Sequence, residues 1–260
     1  MKRAMVRVLT LAMAAVLGAC GGDAQGGDWL ATDDGDFVLE YLEPENADHQ
    51  PVYEALVESE FYDGVVATLN EQFALPQDIA IAFQDCGEVN AFYSPDDVAI
   101  AMCYELIAYY ADMFYDEDEA DYTQTVINAA YFTFFHELGH ALVDQLELPI
   151  VSREEDAVDA FAAVLLLWQG EEEAAIAGID QFSLDAEEEA ELEELPYWDE
   201  HSLSEQRFYN MVCLVYGSDP DWYAEWVSED FLPESRAEGC EAEFAQADES
   251  WSALLTPYLK

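Results

Sequence analysis

Apolar and polar residues alternate along this chain with two different periods. Short segments in the first 102 residues alternate with the period of a β-strand. The predicted strands are 36–42, 78–83, 90–93 and 98–102, the last two as a hairpin. Helical spacing covers most of the remaining chain. The predicted helices are 51–73, 103–114, 121–148, one from residue 152 onward, 184–195, 203–216, 221–227 and 237–255. The pattern predicts an α+β fold with a mostly helical C-terminal half.

The predicted helix at 121–148 contains the run His136-Glu137-Leu138-Gly139-His140. Positions i and i+4 lie one turn apart on the same face of a helix, so the two imidazoles can reach one metal ion. The glutamate between them lies at the same edge, where its carboxylate can accept a proton from a water molecule. This spacing predicts a hydrolytic metal centre with His136 and His140 as ligands and Glu137 as general base.

A buried helix that merely contains two histidines is the alternative interpretation of this motif. The flanking residues are strongly apolar, and no proline interrupts 121–148. Histidine and glutamate side chains inside such a helix need buried partners, because an unpaired polar group in an apolar environment costs free energy. A metal ion supplies those partners, which favours the metal centre.

A third ligand is expected on the next helix, which the sequence predicts to begin at Ser152. Glu155 and Asp159 lie at i and i+4 on one face, so one carboxylate can bind the metal while the other orients a ligand imidazole. Glu154 and Asp156 are alternative ligands. A capping box formed by Ser152 and Glu155, or acids that only suit the helix dipole, explains the same residues without a metal.

The H-E-x-x-H run followed by E-x-x-x-D resembles the gluzincin class of zinc metallopeptidases, which includes thermolysin-like enzymes. The resemblance implies that His136, His140 and Glu155 bind Zn²⁺, that Glu137 is the general base, and that Asp159 holds a ligand histidine. It also implies a zincin-like fold. In that fold a small mixed sheet packs on the active-site helix, and a mostly helical half follows.

Further motifs resemble a bacterial family of proposed metallopeptidases that is otherwise described only as a domain of unknown function. The matching segments, in order, are 86–87, 90–93, 103–106, 136–142, 201–203 and 206–210. They span most of the chain after its N-terminal segment. This resemblance implies a peptidase and names no substrate.

Two further elements are candidates for the site. Asn90 and Ala91 lie on a predicted edge strand, and in gluzincins a similar segment pairs with the substrate backbone. An ordinary hairpin with aromatic core contacts is the alternative. His201 precedes a predicted helix and can donate a hydrogen bond to the oxyanion of a tetrahedral intermediate, although a surface histidine explains it too. Tyr209 is a weaker candidate for that task, and His49 is assigned none.

The first 20 residues resemble a bacterial lipoprotein signal peptide. Three basic residues precede an apolar run at 8–17 that is too short to span a bilayer. Residues 17–20 (Leu-Gly-Ala-Cys) then match a lipobox, so Cys20 is expected to carry the lipid as the first mature residue. Cleavage near Ala19 without lipidation is the alternative. Gly21 rather than Asp follows Cys20, so we expect an exported protein anchored at the outer membrane.

The remaining chain divides into two parts. The glycine-rich stretch at 21–35 predicts a flexible tether, and 36–260 has the length of one metallopeptidase domain.

Four cysteines remain besides Cys20, an even number that predicts two disulfides in an exported protein. They are Cys86, Cys103, Cys213 and Cys240. Pairing in chain order would close a hairpin-like segment and join two C-terminal helices, but three pairings are possible. A cysteine-rich zinc site is not expected, because the sequence contains no C-x-x-C pair.

The chain is extremely acidic, with 58 acidic and 7 basic residues. Three of the basic residues lie in the predicted signal peptide, which leaves four against 58 and a formal charge of −54. This charge excludes nucleic acid as a partner and direct adhesion to an anionic membrane. A hydrophobic content of 52% still allows a full core. We interpret the charge as adaptation to a saline habitat; loosely bound Ca²⁺ at the acidic runs is the alternative.

These features predict a zinc-dependent peptidase of the bacterial cell envelope. Its partners are peptide or protein substrates, and the lipid anchor is its only predicted contact with a membrane. The alternative is a non-catalytic zinc-containing lipoprotein that acts as a chaperone or assembly factor. Because Glu137, the expected general base, is present in the motif, the sequence favours the peptidase over the non-catalytic lipoprotein.

Overall fold

The structure, a computed structural model, describes residues 32–115, 122–151, 153–192, 194–229 and 231–260. The predicted signal peptide with Cys20, the tether up to residue 31, the acidic run 116–119 and Ser152 lie outside the described residues. The described residues form an α+β fold in which a small mixed sheet precedes a mostly helical half, as predicted.

Four strands form one mixed sheet. The strands are β1 (Phe37–Tyr41), β2 (Ile79–Gln84), β3 (Ala91–Ser94) and β4 (Ala99–Cys103). Their order is β1-β2-β4-β3, with β1, β2 and β4 parallel and β3 antiparallel to β4. All four strands lie close to their predicted positions. Because β3 pairs on one side only, its outer backbone groups form an edge of the sheet.

Helices account for most of the other described residues. They are α1 (Gln50–Ser59), α2 (Phe61–Gln72), α3 (Tyr104–Met113), α4 (Thr123–Gln145), α5 (Glu154–Gln169), α6 (Glu172–Glu189), α7 (Ser204–Ser218), α8 (Ala224–Ser228) and α9 (Glu234–Leu255). None of these helices is long and apolar enough to cross a membrane.

Helix α4 is the centre of the molecule. It packs on β3 and β4 on one side and on α5 and α6 on the other. Its side chains are buried on nearly every face; Phe134, Phe135, Leu138 and Leu142, for example, are fully buried. A helix enclosed in this way is apolar all round rather than amphipathic. The sheet and the helical half therefore share one core, and α4 is held rigidly between them.

The predicted helix at 51–73 is two helices. Glu60 has a φ of 50°, and this left-handed residue ends α1 and begins α2. The change of direction at Glu60 lets Tyr62, Val66 and Leu69 of α2 reach the core, whereas α1 has no fully buried residue. The apolar period continues across the break, which is why the sequence alone predicted one helix.

Helix α6 begins at Glu172 and ends at Glu189, whereas the sequence predicted a helix at 184–195. Its first half is buried through small residues, among them Ala174, Ala175 and Gly178. A Cβ atom at Gly178 would lie 2.6 Å from the Phe132 ring, so α6 and α4 are in close contact there. Small residues give a weak hydrophobic signal, and the prediction therefore missed this half of the helix.

The structure contains both predicted disulfides, paired in chain order. Cys86 joins Cys103 beside the hairpin, and Cys213 joins Cys240 between α7 and α9. Each bridge restricts the unfolded chain and so stabilises the half of the molecule that contains it.

Candidate metal centre

Helix α4 carries His136, Glu137 and His140 on one face, and the two imidazole rings are 5.0 Å apart. Gly139 lies against α5, where a Cβ atom would be 2.8 Å from Val158 and 3.0 Å from Phe161. The absence of a side chain at this position thus lets α5 approach the motif closely. Close approach brings the first turn of α5 beside the histidines.

Glu155, in that first turn, completes a group of three possible ligands. Its Oε2 lies 3.2 Å from His136 Nε2, and its Oε1 lies 3.3 Å from His140 Nε2. One ligand atom from each of the three residues lies within 4.8 Å of the other two. All three side chains are mostly buried, with relative side-chain exposures of 9%, 15% and 14%. The structure thus brings together the residues that the sequence proposed as ligands.

Carboxylates hold the far side of both imidazole rings. His136 Nδ1 lies 2.9 Å from Asp159 Oδ1, and His140 Nδ1 lies 2.8 Å from Glu154 Oε1. A carboxylate can only accept, so each Nδ1–H donates and each Nε2 faces the space between the rings. Asp159 therefore has the position that the sequence predicted. Glu154, an alternative ligand in the sequence, instead contacts the outer nitrogen of His140.

Arg207 of α7 was not assigned a role from the sequence, although it lies in a matched motif. Its Nε and Nη2 each donate a 2.8 Å hydrogen bond to Asp159, one to each carboxylate oxygen. The guanidinium carbon also lies 4.1 Å from the centre of the Phe182 ring. The sequence gave one signal for Arg207, its rarity: with only seven basic residues in the chain, a cation within a predicted helix is a candidate partner for an acidic side chain.

His201 lies in the segment before α7 and points into the same centre. Its Nε2 is 3.1 Å from Glu155 Oε2, and its Nδ1 is 3.1 Å from Asp199 Oδ1. Asp199 also accepts a 2.9 Å hydrogen bond from the His201 backbone N–H. The Asp199 carboxylate thereby fixes the ring with Nε2 towards the cleft. The sequence identified His201 but not Asp199.

A cleft of about 760 Å³ opens over these residues. Asn90, Ala91 and Tyr93 of the β3 region line one wall, and His136, Glu137, His140, Glu155 and His201 are also lining residues. The Tyr93 backbone N–H donates to the Glu137 carboxylate, while the Tyr93 hydroxyl donates to Asp144 at 2.7 Å. The edge strand is thus fastened beside the motif glutamate.

Burial and charge shift the pKa values of the central groups. Burial raises the pKa of Glu137, and the nearby imidazoles only partly oppose it. Burial acts to lower the pKa of His136, but its contacts with Asp159 and Glu155 raise it to about 9. Burial acts to raise the pKa of Asp159, but the charge and hydrogen bonds of Arg207 bring it to about 2. The carboxylates of the centre and the neighbouring imidazole and guanidinium groups thus stabilise each other's charged forms.

The geometry at Glu155 fits a bound cation. Burial acts to raise the pKa of Glu155, but the imidazoles of His136, His140 and His201 lower it far below its usual range. Its buried Oε2 nevertheless has no partner that meets hydrogen-bond geometry, although two imidazole nitrogens lie within 3.2 Å. Two imidazoles that are oriented by carboxylates at Nδ1, together with one further carboxylate, are a donor set that Zn²⁺ accepts.

A second cluster, formed by His49, Asp85 and Glu105, has a different character. His49 Nδ1 lies 2.6 Å from Asp85 Oδ1, and Asp85 Oδ2 accepts from the backbone of residues 45–46. Glu105 accepts from the backbone of residues 86–87. Each side chain thus has protein partners, and the cluster fastens the loop after β1 to the end of β2. His49, which the sequence assigned no role, is structural.

Two other candidates lie away from the cleft. Tyr209 and Asp156 line a separate cavity of about 470 Å³ beside α7. Asp156 points there because it is one residue, and therefore about 100°, further around α5 than Glu155. Tyr209 is thus not among the residues lining the cleft, where an oxyanion donor is needed.

Comparison with known proteins identifies the family of this chain. The model of a family described as "DUF4344: Putative metallopeptidase" matches residues 41–255. No curated protein and no solved structure matches the chain significantly. The family match covers most of the chain and includes every residue that converges in the cleft. The chain therefore belongs to this family.

Proposed function

We propose that this protein is a zinc-dependent peptidase of the bacterial cell envelope. The observation that carries the proposal is the convergence of His136, His140 and Glu155 around one point, with Glu137 beside them in an open cleft. Family membership supports peptidase activity. The arrangement supports hydrolysis of peptide bonds by water, with a glutamate as general base.

His136, His140 and Glu155 would hold the zinc ion. When bound, zinc lowers the pKa of a water molecule and polarises a carbonyl group as a Lewis acid. The protein orients the ligands before the metal arrives, because Asp159 and Glu154 fix the Nδ1 sides of the two imidazoles. Such partners behind the ligands increase metal affinity.

Glu137 moves the proton in the proposed reaction. Its carboxylate accepts a proton from the attacking water and donates it to the nitrogen of the leaving amine. Burial raises the pKa of Glu137, which makes its carboxylate a stronger base towards the attacking water. The hydrogen bond from the Tyr93 backbone N–H holds the carboxylate at the edge strand, on the wall of the cleft.

His201 is the proposed hydrogen-bond donor to the carbonyl oxygen as that oxygen gains negative charge. The contact with Asp199 at Nδ1 leaves Nε2 directed towards the cleft. A donor oriented before the reaction stabilises the transition state without further reorganisation. Asn90 and Ala91, which also line the cleft, are proposed to align the substrate backbone as an added strand.

The location of the enzyme is proposed from the sequence. The lipobox at residues 17–20 supports export and a lipid anchor at Cys20, at the outer membrane. The tether that the sequence predicts before the domain would let the cleft reach peptides or envelope proteins as substrates.

Glu137→Gln tests the catalytic role directly. Glutamine is nearly isosteric and leaves all three proposed ligands in place, so zinc content and melting temperature should match the wild type. Glutamine cannot accept the proton of water, so hydrolysis of a peptide library should fall by about 10²–10⁴-fold. Zinc analysis, thermal melting and peptide cleavage are measured on the same samples.

Glu241→Gln, an exposed substitution on α9, is the matched control and should retain full activity. A wild-type protein that is folded and zinc-loaded but cleaves no peptide would contradict the proposed peptidase activity. In that case the scaffold or chaperone function gains support.

A further inference from the structure

Arg207 is a buried cation in a chain that has few cations. Its side chain has a relative exposure of 15%, and that of Asp159, its partner, has 7%. The two groups make a bidentate pair, with Nε on Oδ2 and Nη2 on Oδ1, each at 2.8 Å. Such a pair holds a carboxylate in a single plane, which a single hydrogen bond does not.

The plane of the guanidinium is itself held. The Phe182 ring of α6 lies beneath it at 4.1 Å, and Phe182 is 1% exposed. Phe182 packs edge-to-face on Phe132 of α4, at 5.8 Å between ring centres. Arg207 of α7 is therefore fixed by α6 and α4 before it contacts Asp159 of α5.

Asp159 Oδ1 links this pair to the metal centre. That oxygen accepts both from Arg207 Nη2 at 2.8 Å and from His136 Nδ1 at 2.9 Å. A rotation of the carboxylate that breaks one of these bonds also disturbs the other. The orientation of the His136 ring therefore depends on Arg207, from which it is separated only by Asp159.

We propose that Arg207 is a positioning residue that increases zinc affinity. It fixes the Asp159 carboxylate and, through Asp159, the His136 imidazole. The inference rests on the proposed zinc site. The competing explanation is an ion pair that only stabilises the packing of α5 and α7. The two explanations differ in zinc affinity, because a pair that only stabilises packing does not change the affinity of the folded protein for the metal.

Zinc affinity of the purified protein, measured by competition with a chromogenic chelator, provides the test. Arg207→Met keeps much of the side-chain volume and removes the guanidinium group that binds both Asp159 oxygens. We expect zinc to bind this variant about 10–100-fold more weakly. Arg207→Lys keeps the charge but cannot bind both oxygens in one plane, so an intermediate loss is expected. Thermal melting of each variant in chelator reports its stability without metal.

The chain offers a matched control pair. Arg236 makes a similar bidentate pair with Glu243 on α9, at 2.7 Å for each contact, and neither residue touches the cleft. Arg236→Met should change the zinc dissociation constant less than about twofold, even if it lowers the melting temperature. An equal loss of zinc affinity in both arginine variants would overturn the proposal.

A double-mutant cycle tests whether Arg207 acts through Asp159. Asp159→Asn should weaken zinc binding on its own. In that background, Arg207→Met should weaken zinc binding by less than about twofold further. A full additional loss, or unchanged zinc affinity in Arg207→Met alone, refutes the proposal.

These measurements distinguish failure of the proposed zinc site from failure of the proposed role of Arg207. If Arg207→Met does not fold, Arg207→Lys decides between the explanations: reduced zinc affinity supports the positioning role, and wild-type affinity refutes it. If the wild type binds no zinc, the proposed function fails. If the wild type binds zinc and the Arg207 variants bind it equally well, only the role of Arg207 fails.

Discussion

Three consecutive acids at the start of α5 have three different environments. Glu155 lies between the two motif histidines, Glu154 contacts the outer nitrogen of His140, and Asp156 lines the separate cavity. Successive residues of a helix point about 100° apart, so these three adjacent acids contact different groups. The same three residues were alternatives in the sequence because composition and charge do not distinguish them.

The three acids should therefore differ in their effect on zinc. Glu155→Gln removes a proposed ligand and should weaken zinc binding by at least about 100-fold. Glu154→Gln removes only the partner of a ligand, for which about 10-fold is expected. Asp156→Asn should leave zinc affinity unchanged. Chelator competition on the three variants gives the order; if Asp156→Asn has the largest effect, the assignment of Glu155 is wrong.

Asp185, on α6, should make stability depend on pH. Burial raises its pKa to about 6, against the attraction of Arg207. The unfolded value is about 3.9, so the folded protein holds this proton more tightly than the unfolded chain. Ionised Asp185 therefore destabilises the fold. This cost is absent below about pH 4, grows between about pH 4 and 6, and is constant at higher pH.

Asp185→Asn should accordingly raise the free energy of unfolding by roughly 2–3 kcal/mol at pH 8 and by little at pH 4. Urea unfolding of wild type and variant at the two pH values measures the difference. Asp221→Asn, an exposed substitution, is the control and should have no comparable effect at either pH. A gain that is equal at pH 4 and pH 8 would exclude titration of Asp185 as its cause.

Candidate site residues were predictable from the sequence where they lie at short, fixed spacings from one another. His136, Glu137 and His140 lie within one helical turn, so helix geometry alone predicts their common face. Glu154 and Asp199 contact the site through particular side-chain conformations, and Arg207 comes from a helix about 50 residues after Asp159. Contacts of this kind depend on tertiary packing, which no local pattern contains.

At the scale of elements, the approach of α4 to α5 determines whether the ligands meet. Gly139→Ala would place a Cβ atom 2.8 Å from Val158, so one of the two helices must move. We expect a loss of roughly 1–3 kcal/mol in stability despite the higher helix propensity of alanine. The shift should also weaken zinc binding, because Glu155 lies one turn before Val158.

Gly64→Ala on α2 is the matched control for this substitution. A Cβ atom at Gly64 would have no neighbouring heavy atom within 4 Å, so alanine should stabilise the protein by roughly 0.5–1 kcal/mol without changing zinc affinity. Chemical unfolding and chelator competition measure both quantities. Equal behaviour of the two alanine variants would mean that the α4–α5 contact does not position the site.

Elements whose apolar residues are large were predicted well from the sequence, and those built from small residues were not. The strands and α4 contain many isoleucine, phenylalanine and leucine residues, and their observed bounds are close to the prediction. The first half of α6 is buried through alanine and glycine, and it was missed. Burial of small residues depends on a partner helix that approaches closely, which the sequence pattern does not report.

At the scale of the whole molecule, strong negative charge coexists with a continuous core. The chain has a formal charge of −51 and a hydrophobic content of 52%. The core extends from the sheet through α4 to α9. Charge repulsion acts mainly between exposed acids and opposes the compact state, whereas the core favours it. The charge and the presence of a core were both predictable from composition. Composition did not predict which acidic residues remain exposed.

Salt should therefore stabilise this protein. The Debye length falls from about 30 Å at 0.01 M to about 3 Å at 1 M, so repulsion between exposed acids is screened as salt rises. The melting temperature should increase from about 0.01 M to about 1 M NaCl, most steeply at the low end. Thermal melting over this range measures the effect, and a flat or falling midpoint would exclude the charge as a salt adaptation.

A paired variant separates screening from the general effect of salt on apolar burial. Glu187 is exposed in the last turn of α6 and Glu191 is exposed two residues after the helix ends, where negative charge also opposes the helix dipole. Replacing both with glutamine should raise the melting temperature at about 0.01 M NaCl and change it little at about 1 M. An equal gain at both concentrations would show that the two acids destabilise α6 by some means other than charge.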